Sequence, residues 1–446
     1  MTTSTAPGKI PGRTWYRTTV AGMASYLDAG AIITTGTALV LYKEPLGISD
    51  AQFGQYSALL TFMIAAGALV GGRLADLFGR KRVFLATMAV YVAGAAILVA
   101  APGTGALYAG VVLLGLAVGA DLPASLAMIA EEAPPEHRGK LISFSHILWL
   151  VGIIAAQLFG IVVGGMGITG GRIMYGQLLV LALVVLVLRA GMPESSRWQA
   201  AHADAAGTAG TAGTAGDGAE SVDLGTLKRL LRGPYLAPMV AVALFYALVN
   251  VGANTGGQFS TLMYTEIAGT TVRFASTVGF VTFAIAFAAT YLLMRIVDGA
   301  HRMRWFAVMA VFYTLGYLVP VAFGVEVWTL VTMGVVGSIA GAVAGEPMFK
   351  VWAQELIPTT YRSTAQGVMI AFTRVVAAVV ALWTPTLLAA SPDVLFVFVA
   401  ACIAVGGVIG YFWITRYPRV ADDEPVAPAP STTAASTAVR TDEGAR

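Results

Sequence analysis

Long apolar runs alternate along this chain with short joints marked by charges, glycine or proline. Twelve of the runs come close to the ~20 residues that an α-helix needs to cross a bilayer. They occupy residues 18–41, 52–74, 83–101, 106–130, 141–166 and 172–190, and then 236–262, 272–296, 305–324, 327–352, 364–388 and 393–415. Pro102, Gly103, Pro134, Pro135, Pro358 and Pro392 stand at the joints. A segment inside lipid must satisfy its backbone internally, so only helices or closed barrels can span. These runs are too long for barrel strands. The pattern predicts an all-α integral membrane fold of twelve transmembrane helices.

The pattern lapses between the sixth and seventh runs, which divides the chain. Residues 1–17 read as a short N-terminus, 18–190 as one six-helix bundle, 191–234 as a central linker, 235–416 as a second six-helix bundle and 417–446 as a disordered tail. Within the linker, 201–221 is an Ala/Gly/Thr low-complexity stretch without an apolar period, the composition of a mobile connection.

Composition agrees with the pattern. The 446 residues are 57% hydrophobic and 11% charged, against about 25% charged in soluble domains. The net charge of +3 is small, but its distribution is lopsided. One set of loops holds Arg80, Lys81, Arg82, Arg138, Lys140, Arg295, Arg302, Arg304 and Arg362, the central segment adds Arg189, Arg197, Lys228, Arg229 and Arg232 on the same side, and the opposite set holds only Lys43, Arg172 and Arg273. The positive-inside rule then places both termini in the cytoplasm of a multi-pass protein of the cell membrane. The first run lacks an adjoining cleavage site and reads as a retained span. The single cysteine, Cys402, excludes an intrachain disulfide or thiolate cluster. Basic residues in loop clusters, rather than on a face, give no nucleic-acid surface. No H-E-x-x-H or G-x-S-x-G sequence suggests an enzyme. No cofactor or metal is expected, and a monomer in the bilayer is.

Charged signatures recur about half a chain apart. Asp76, Arg80 and Arg82 form D-x-x-x-R-x-R, repeated by Asp298, Arg302 and Arg304. Glu131, Pro134 and Arg138 form E-x-x-P-x-x-x-R, repeated by Glu355, Pro358 and Arg362. Two marks recurring in order indicate a duplicated bundle, the construction of many secondary transporters, with the site at the repeat interface.

At these residues the chain resembles the major facilitator superfamily. GGRLADLFGRKR (71–82) matches the family's loop 2–3 signature, and PESSRW (193–198) is similar to the sugar-porter PESPRW. VGIIAAQLFG (151–160) is similar to the sugar-porter fifth span, whose glutamine contacts substrate. YLDAGAI (26–32) and GLAVGADLPASLAMIAEEAPPEHRGK (115–140) look most like bacterial inositol transporters of the superfamily. The resemblance implies two six-helix bundles and alternating access. It also implies that Asp76, Arg80, Glu131, Arg138, Asp298, Arg302, Glu355 and Arg362 act in gating, against the bland reading that the basic residues enforce topology. Departures matter too. Val111 stands where sugar porters carry an arginine in span 4, and Glu346 and Lys350 replace a glycine and a tryptophan in span 10. Arg374 resembles the arginine of proton symporters for organic acids.

An ionisable side chain at bilayer depth costs roughly 2.5–3.5 kcal/mol on insertion scales, so each needs a partner or a role. Asp28, Asp121 and Glu346 are the candidate proton-coupling carboxylates. Aligned by the repeated signatures, Asp121 falls one residue from Glu346, and Asp28 matches Asn250. Low dielectric disfavours the anion, and a neutral carboxyl would let the loaded bundles rock. The other reading for Asp28 and Asp121 is a hydrogen-bonded carboxylate that fixes helix packing. Glu346 and Lys350 stand i,i+4 with the acid first, a favourable order for a same-helix pair. Lys350 and Arg374 either reach substrate or hold carboxylates.

Gln157, Asn250, Asn254 and Gln258 are the candidate polyol ligands, because amides donate and accept together. The last three recur every four residues on one face of span 7, and interhelical hydrogen bonding is the competing use. Trp352 and Trp383 are open between stacking on substrate and an interfacial place. His146 reads as packing. The expected function is proton symport of a small polyol or sugar, inositol foremost. The alternatives are symport of a small organic anion, a proton-independent uniporter, or a membrane sensor that moves nothing.

Overall fold

The computed structural model describes residues 10–134, 137–194, 199, 233–296 and 301–419. All regular elements among them are helical. Twelve helical segments among the described residues are long and apolar enough to cross a membrane, so the protein is a multi-pass membrane protein.

The first six spans are α1 (Gly12–Lys43), α2 (Asp50–Phe78), α3 (Arg80–Ala100), α4 (Thr104–Glu132), α5 (Arg138–Val163) and α6 (Gly167–Ala190). The second half begins with α7 (Leu236–Gln258), a π turn (Met263–Ile267), α8 (Val272–Ile296) and α9 (Arg302–Phe323). The tenth span is two pieces, α10 (Val327–Ala344) and α11 (Glu346–Leu356), and α12 (Thr359–Ala390) and α13 (Pro392–Val408) complete the set. Local chemistry sets several ends. Ser49 and Gln52 form a reciprocal capping box that starts α2, and Pro392 occupies the first turn of α13. The sequence reads the tenth run as continuous. It breaks at Gly345, with Pro347 in the first turn of α11, which places Glu346 at a helix N-terminus that favours an anion.

α1 is the most enclosed span, held by α4, α5 and α6, and α7 is its counterpart against α12, α13 and α11. The halves meet along α2 with α12, α5 with α8, and α1 with α7. The first and last described segments lie with the basic loops at one end of the bundle, here the basic end, where Arg17 pairs with Glu132 and Arg419 with Glu355. The opposite, far end is where the halves close. A Cβ at Gly36 of α1 would lie 2.4 Å from the carbonyl oxygen of Gln258, so only glycine permits that approach. Beside it Thr37 and Thr261 share a hydrogen bond of 3.2 Å, the Gln258 amide donates to Thr61 at 3.0 Å, and Phe53 and Phe259 pack ring to ring. Lys43 Nζ bridges Asp50 (2.9 Å) in its own half and Glu266 (3.2 Å) in the other. Between α2 and α12 lies a pocket of about 370 Å³ lined by Phe62, Leu69, Phe372 and Val375 among others.

Candidate functional site

The two repeated signatures fold into the same contact in each half. Arg80 donates to Glu131 at 2.7 Å and to the Ala75 carbonyl at 2.9 Å. Arg302 grips Glu355 with two hydrogen bonds of 2.7 and 2.9 Å. Each pair ties the start of one span to the end of another within its own half, rather than one half to the other. Glu194 of the PESSRW segment accepts from the Lys81 backbone N–H at 3.1 Å, placing a carboxylate at the N-terminus of α3. Arg17 pairs with Glu132 nearby. The side chains of Asp76, Arg138 and Arg362, and all of Asp298, lie outside the described residues.

Asp121 is fully buried and forms an ion pair with Arg189, in the last turn of α6. Its Oδ1 also accepts from the Thr87 hydroxyl at 3.0 Å. Arg189 donates further to the Ala21 carbonyl (3.1 Å) and the Ser125 hydroxyl (3.2 Å), and its guanidinium lies 4.5 Å from the centre of the Phe84 ring. Four spans of the first half thus converge on one cation. Of the two readings open for Asp121, this geometry supports the packing one. The sequence counts Arg189 among the basic charges of the central segment. Its position inside the sixth apolar run is the one signal of a buried role.

Asp28 stands at the midpoint of α1 and is almost completely buried. Among the described residues it makes no ion pair within 4 Å. Its Oδ2 accepts from the indole N–H of Trp149 at 3.0 Å, and its Oδ1 is buried without a partner. Trp149 in turn lies parallel to His146, with ring centres 5.6 Å apart and planes at 7°. Sequence reasoning missed Trp149 altogether and set His146 aside as packing. Nothing in a single apolar run distinguishes an indole aimed at a carboxylate from one aimed at lipid.

From the second half, Glu346 and Lys350 face the same level and pair at 2.9 Å, as their spacing predicts. Both side chains remain more than 40% exposed, so they border open space rather than a packed core. Arg374, at the midpoint of α12, makes no ion pair within 4 Å among the described residues, but its charge acts on both Asp28 and Glu346. His146 also feels Glu346 and Lys350 across the gap. Titratable groups of both halves therefore gather at mid-depth.

The amides divide. Asn250 and Asn254 are half-buried on α7, one and two turns beyond Tyr246. Gln157 and Gln258 are buried, each with an unpartnered carbonyl oxygen, and both belong to the far-end contact between halves. Gln157 packs on Gly279 of α8, and Gln258 on α1 and α2. Trp352 sits in the core against Phe245 and Phe306, and Trp383 points outward, 64% exposed. Neither reaches the mid-depth cluster.

Comparison with known proteins agrees with this architecture. The sequence profile of the Major Facilitator Superfamily matches residues 18–382. The minor myo-inositol transporter IolF of Bacillus subtilis is 30% identical over 382 residues, covering 83% of this chain and 84% of that protein. The glucose transporter GlcP of Staphylococcus epidermidis is 24% identical over 387 residues, 82% of this chain and 85% of that one. Among solved structures, a D-xylose–proton symporter superposes with a TM-score of 0.71 at 18% identity, over 90% of this chain and 97% of the other.

Proposed function

Because the chain belongs to the Major Facilitator Superfamily, we propose that it is a secondary active transporter importing a small polyol or sugar, inositol foremost, by proton symport. It works as a monomer in the cytoplasmic membrane, with both termini inside. The relative at 30% identity, named a myo-inositol transporter, supports the substrate class. The observation that carries the coupling is Asp28, a mid-depth carboxylate with no counter-ion in contact and one oxygen unpartnered. Such a group is costly as an anion in low dielectric and ready to take a proton.

In this reading the described arrangement is the inward-facing state, closed at the far end and parted at the basic one. Solute enters from outside when the far-end contacts open, and its hydroxyls meet Asn250 and Asn254, with Gln157 and Gln258 completing the site as the halves rock. A proton on Asp28 removes the charge that opposes that movement. Asp121 and Glu346, each already paired with a cation, serve as fixed charges. The pairs Arg80–Glu131 and Arg302–Glu355, with Asp76, Arg138, Asp298 and Arg362, form the cytoplasmic gate.

Proteoliposomes loaded at alkaline pH and placed in acidic medium test this with labelled myo-inositol. Wild-type protein accumulates the label against its gradient, and Asp28→Asn loses accumulation while retaining counterflow. Unchanged accumulation in the variant removes Asp28 from coupling. Accumulation that survives an uncoupler means uniport or another ion. Arg374 and the half-exposed Lys350 favour a second reading, symport of a small organic anion. Competition by monocarboxylates but not by inositol would establish it.

A further inference from the structure

We propose that Trp149 is the positioning residue that joins the proton site to the solute cavity, holding the Asp28 carboxylate through its indole N–H while its ring forms an aromatic wall of that cavity. The inference rests on the reading of Asp28 as the proton site.

The local fold builds the contact. A Cβ at Gly152, one turn beyond Trp149, would fall 2.4 Å from the Tyr26 carbonyl, so glycine lets α5 lie directly on α1. At that separation the indole spans the gap and reaches Asp28 Oδ2 at 3.0 Å. Among the described residues Trp149 is the hydrogen-bond partner of this carboxylate. The indole is only partly buried and continues into the exposed imidazole of His146. It packs on Ala29, Ile33, Ile153 and Ala156, a cluster that Phe283 of α8 covers from the other half. The ring therefore stands at the seam between the halves, with one side on the packed cluster and the other on the exposed imidazole of His146.

Indole nitrogen can only donate. Its bond to a carboxylate is charge-assisted and weakens when the acid takes a proton. Deprotonated Asp28 thus fixes the ring, and protonated Asp28 releases it. A solute packed on the ring senses that difference, and by linkage it changes the proton affinity of Asp28 by the same factor. Other charges face Asp28 as well. Arg374 comes from α12 and Glu346 from α11, and the Tyr91 hydroxyl lies on α3. Asp121, held by Arg189, and His146 stand further off. None of these touches both the carboxylate and the cavity.

Trp149→Phe keeps an aromatic ring and deletes the donor, whereas Trp149→Leu deletes both. Infrared titration of the purified protein, with Asp28→Asn subtracted, reads the carboxylic C=O band without any substrate. In Trp149→Phe the midpoint of that band should move up by about one pH unit or more, since a hydrogen bond to a charged group is lost. The shift should persist in a His146→Ala background. In myo-inositol counterflow, Trp149→Leu should raise KM more than Trp149→Phe does, by on the order of tenfold for a lost stacking wall. An unmoved midpoint in Trp149→Phe overturns the inference even if transport is as proposed, as does a shift that vanishes with His146. Failure of wild-type protein to move myo-inositol strikes the substrate reading alone, because the titration remains. Absence of any band dependent on Asp28 sinks the coupling role and this inference with it.

Discussion

Arg189 shows how much a single residue can bind together. Its guanidinium is completely buried and is shared among a carboxylate, a hydroxyl, two carbonyls and an aromatic face from the surrounding spans. Removing one partner of such a pair leaves an uncompensated charge, at a cost of roughly 3–5 kcal/mol. Arg189→Leu or Asp121→Leu alone should therefore lower the melting temperature in detergent strongly. The double variant should recover much of the loss, because two apolar residues replace two charges. If the double variant melts below both single ones, the pair is not the unit of stability. Asp28 is the opposite case, a buried acid without a cation, and the contrast between two aspartates of one bundle separates packing from coupling.

Among the elements, α1 and α7 decide which end is closed. Gly36 lets them touch backbone to backbone at the far end, and Gly345 breaks the tenth span so that Glu346 and Lys350 begin a new helix beside the cavity. Overpacking a close contact costs on the order of 1–3 kcal/mol. That cost falls only on the state in which α1 and α7 meet. Gly36→Ala should thus populate the state open at the far end. A cysteine at Thr261, in a Cys402→Ser background, should then react faster with an impermeant thiol reagent applied from that side. An unchanged rate would mean that the approach of α1 to α7 is not what holds the closure.

At the scale of the whole molecule the two halves are alike where they carry loops and unlike where they carry charge at mid-depth. Each half locks its own basic end with an Arg–Glu pair, while the far end is bridged between halves by Lys43, Asp50 and Glu266. Partly exposed ion pairs contribute about 0.2–1 kcal/mol. Lys43→Ala should accordingly speed the same Thr261→Cys labelling only about two- to five-fold, and high salt should reproduce part of that effect in the parent. A change no larger than the scatter between preparations would assign the closure to packing alone.

Twelve spans, their order, the duplication and the family were legible in the sequence, because lipid imposes length and apolarity on every span and charge survives only at the joints or at a price in partners. The same rule flagged Asp28, Asp121, Glu346, Lys350 and Arg374 as residues in need of explanation, and i,i+4 spacing offered the Glu346–Lys350 pair as one of two uses for that lysine. What linear order does not hold is which helix faces which. The Arg80–Glu131 and Arg302–Glu355 contacts join signatures about fifty residues apart, and Arg189 reaches Asp121 across the bundle from a segment read as topological. Trp149 finds Asp28 only because α5 lies on α1 at Gly152. The sequence determined the spans and which charges needed partners; tertiary packing assigned the partners, since an ion or an indole inside a bundle is defined by the neighbour that a crossing of two helices brings within 3 Å.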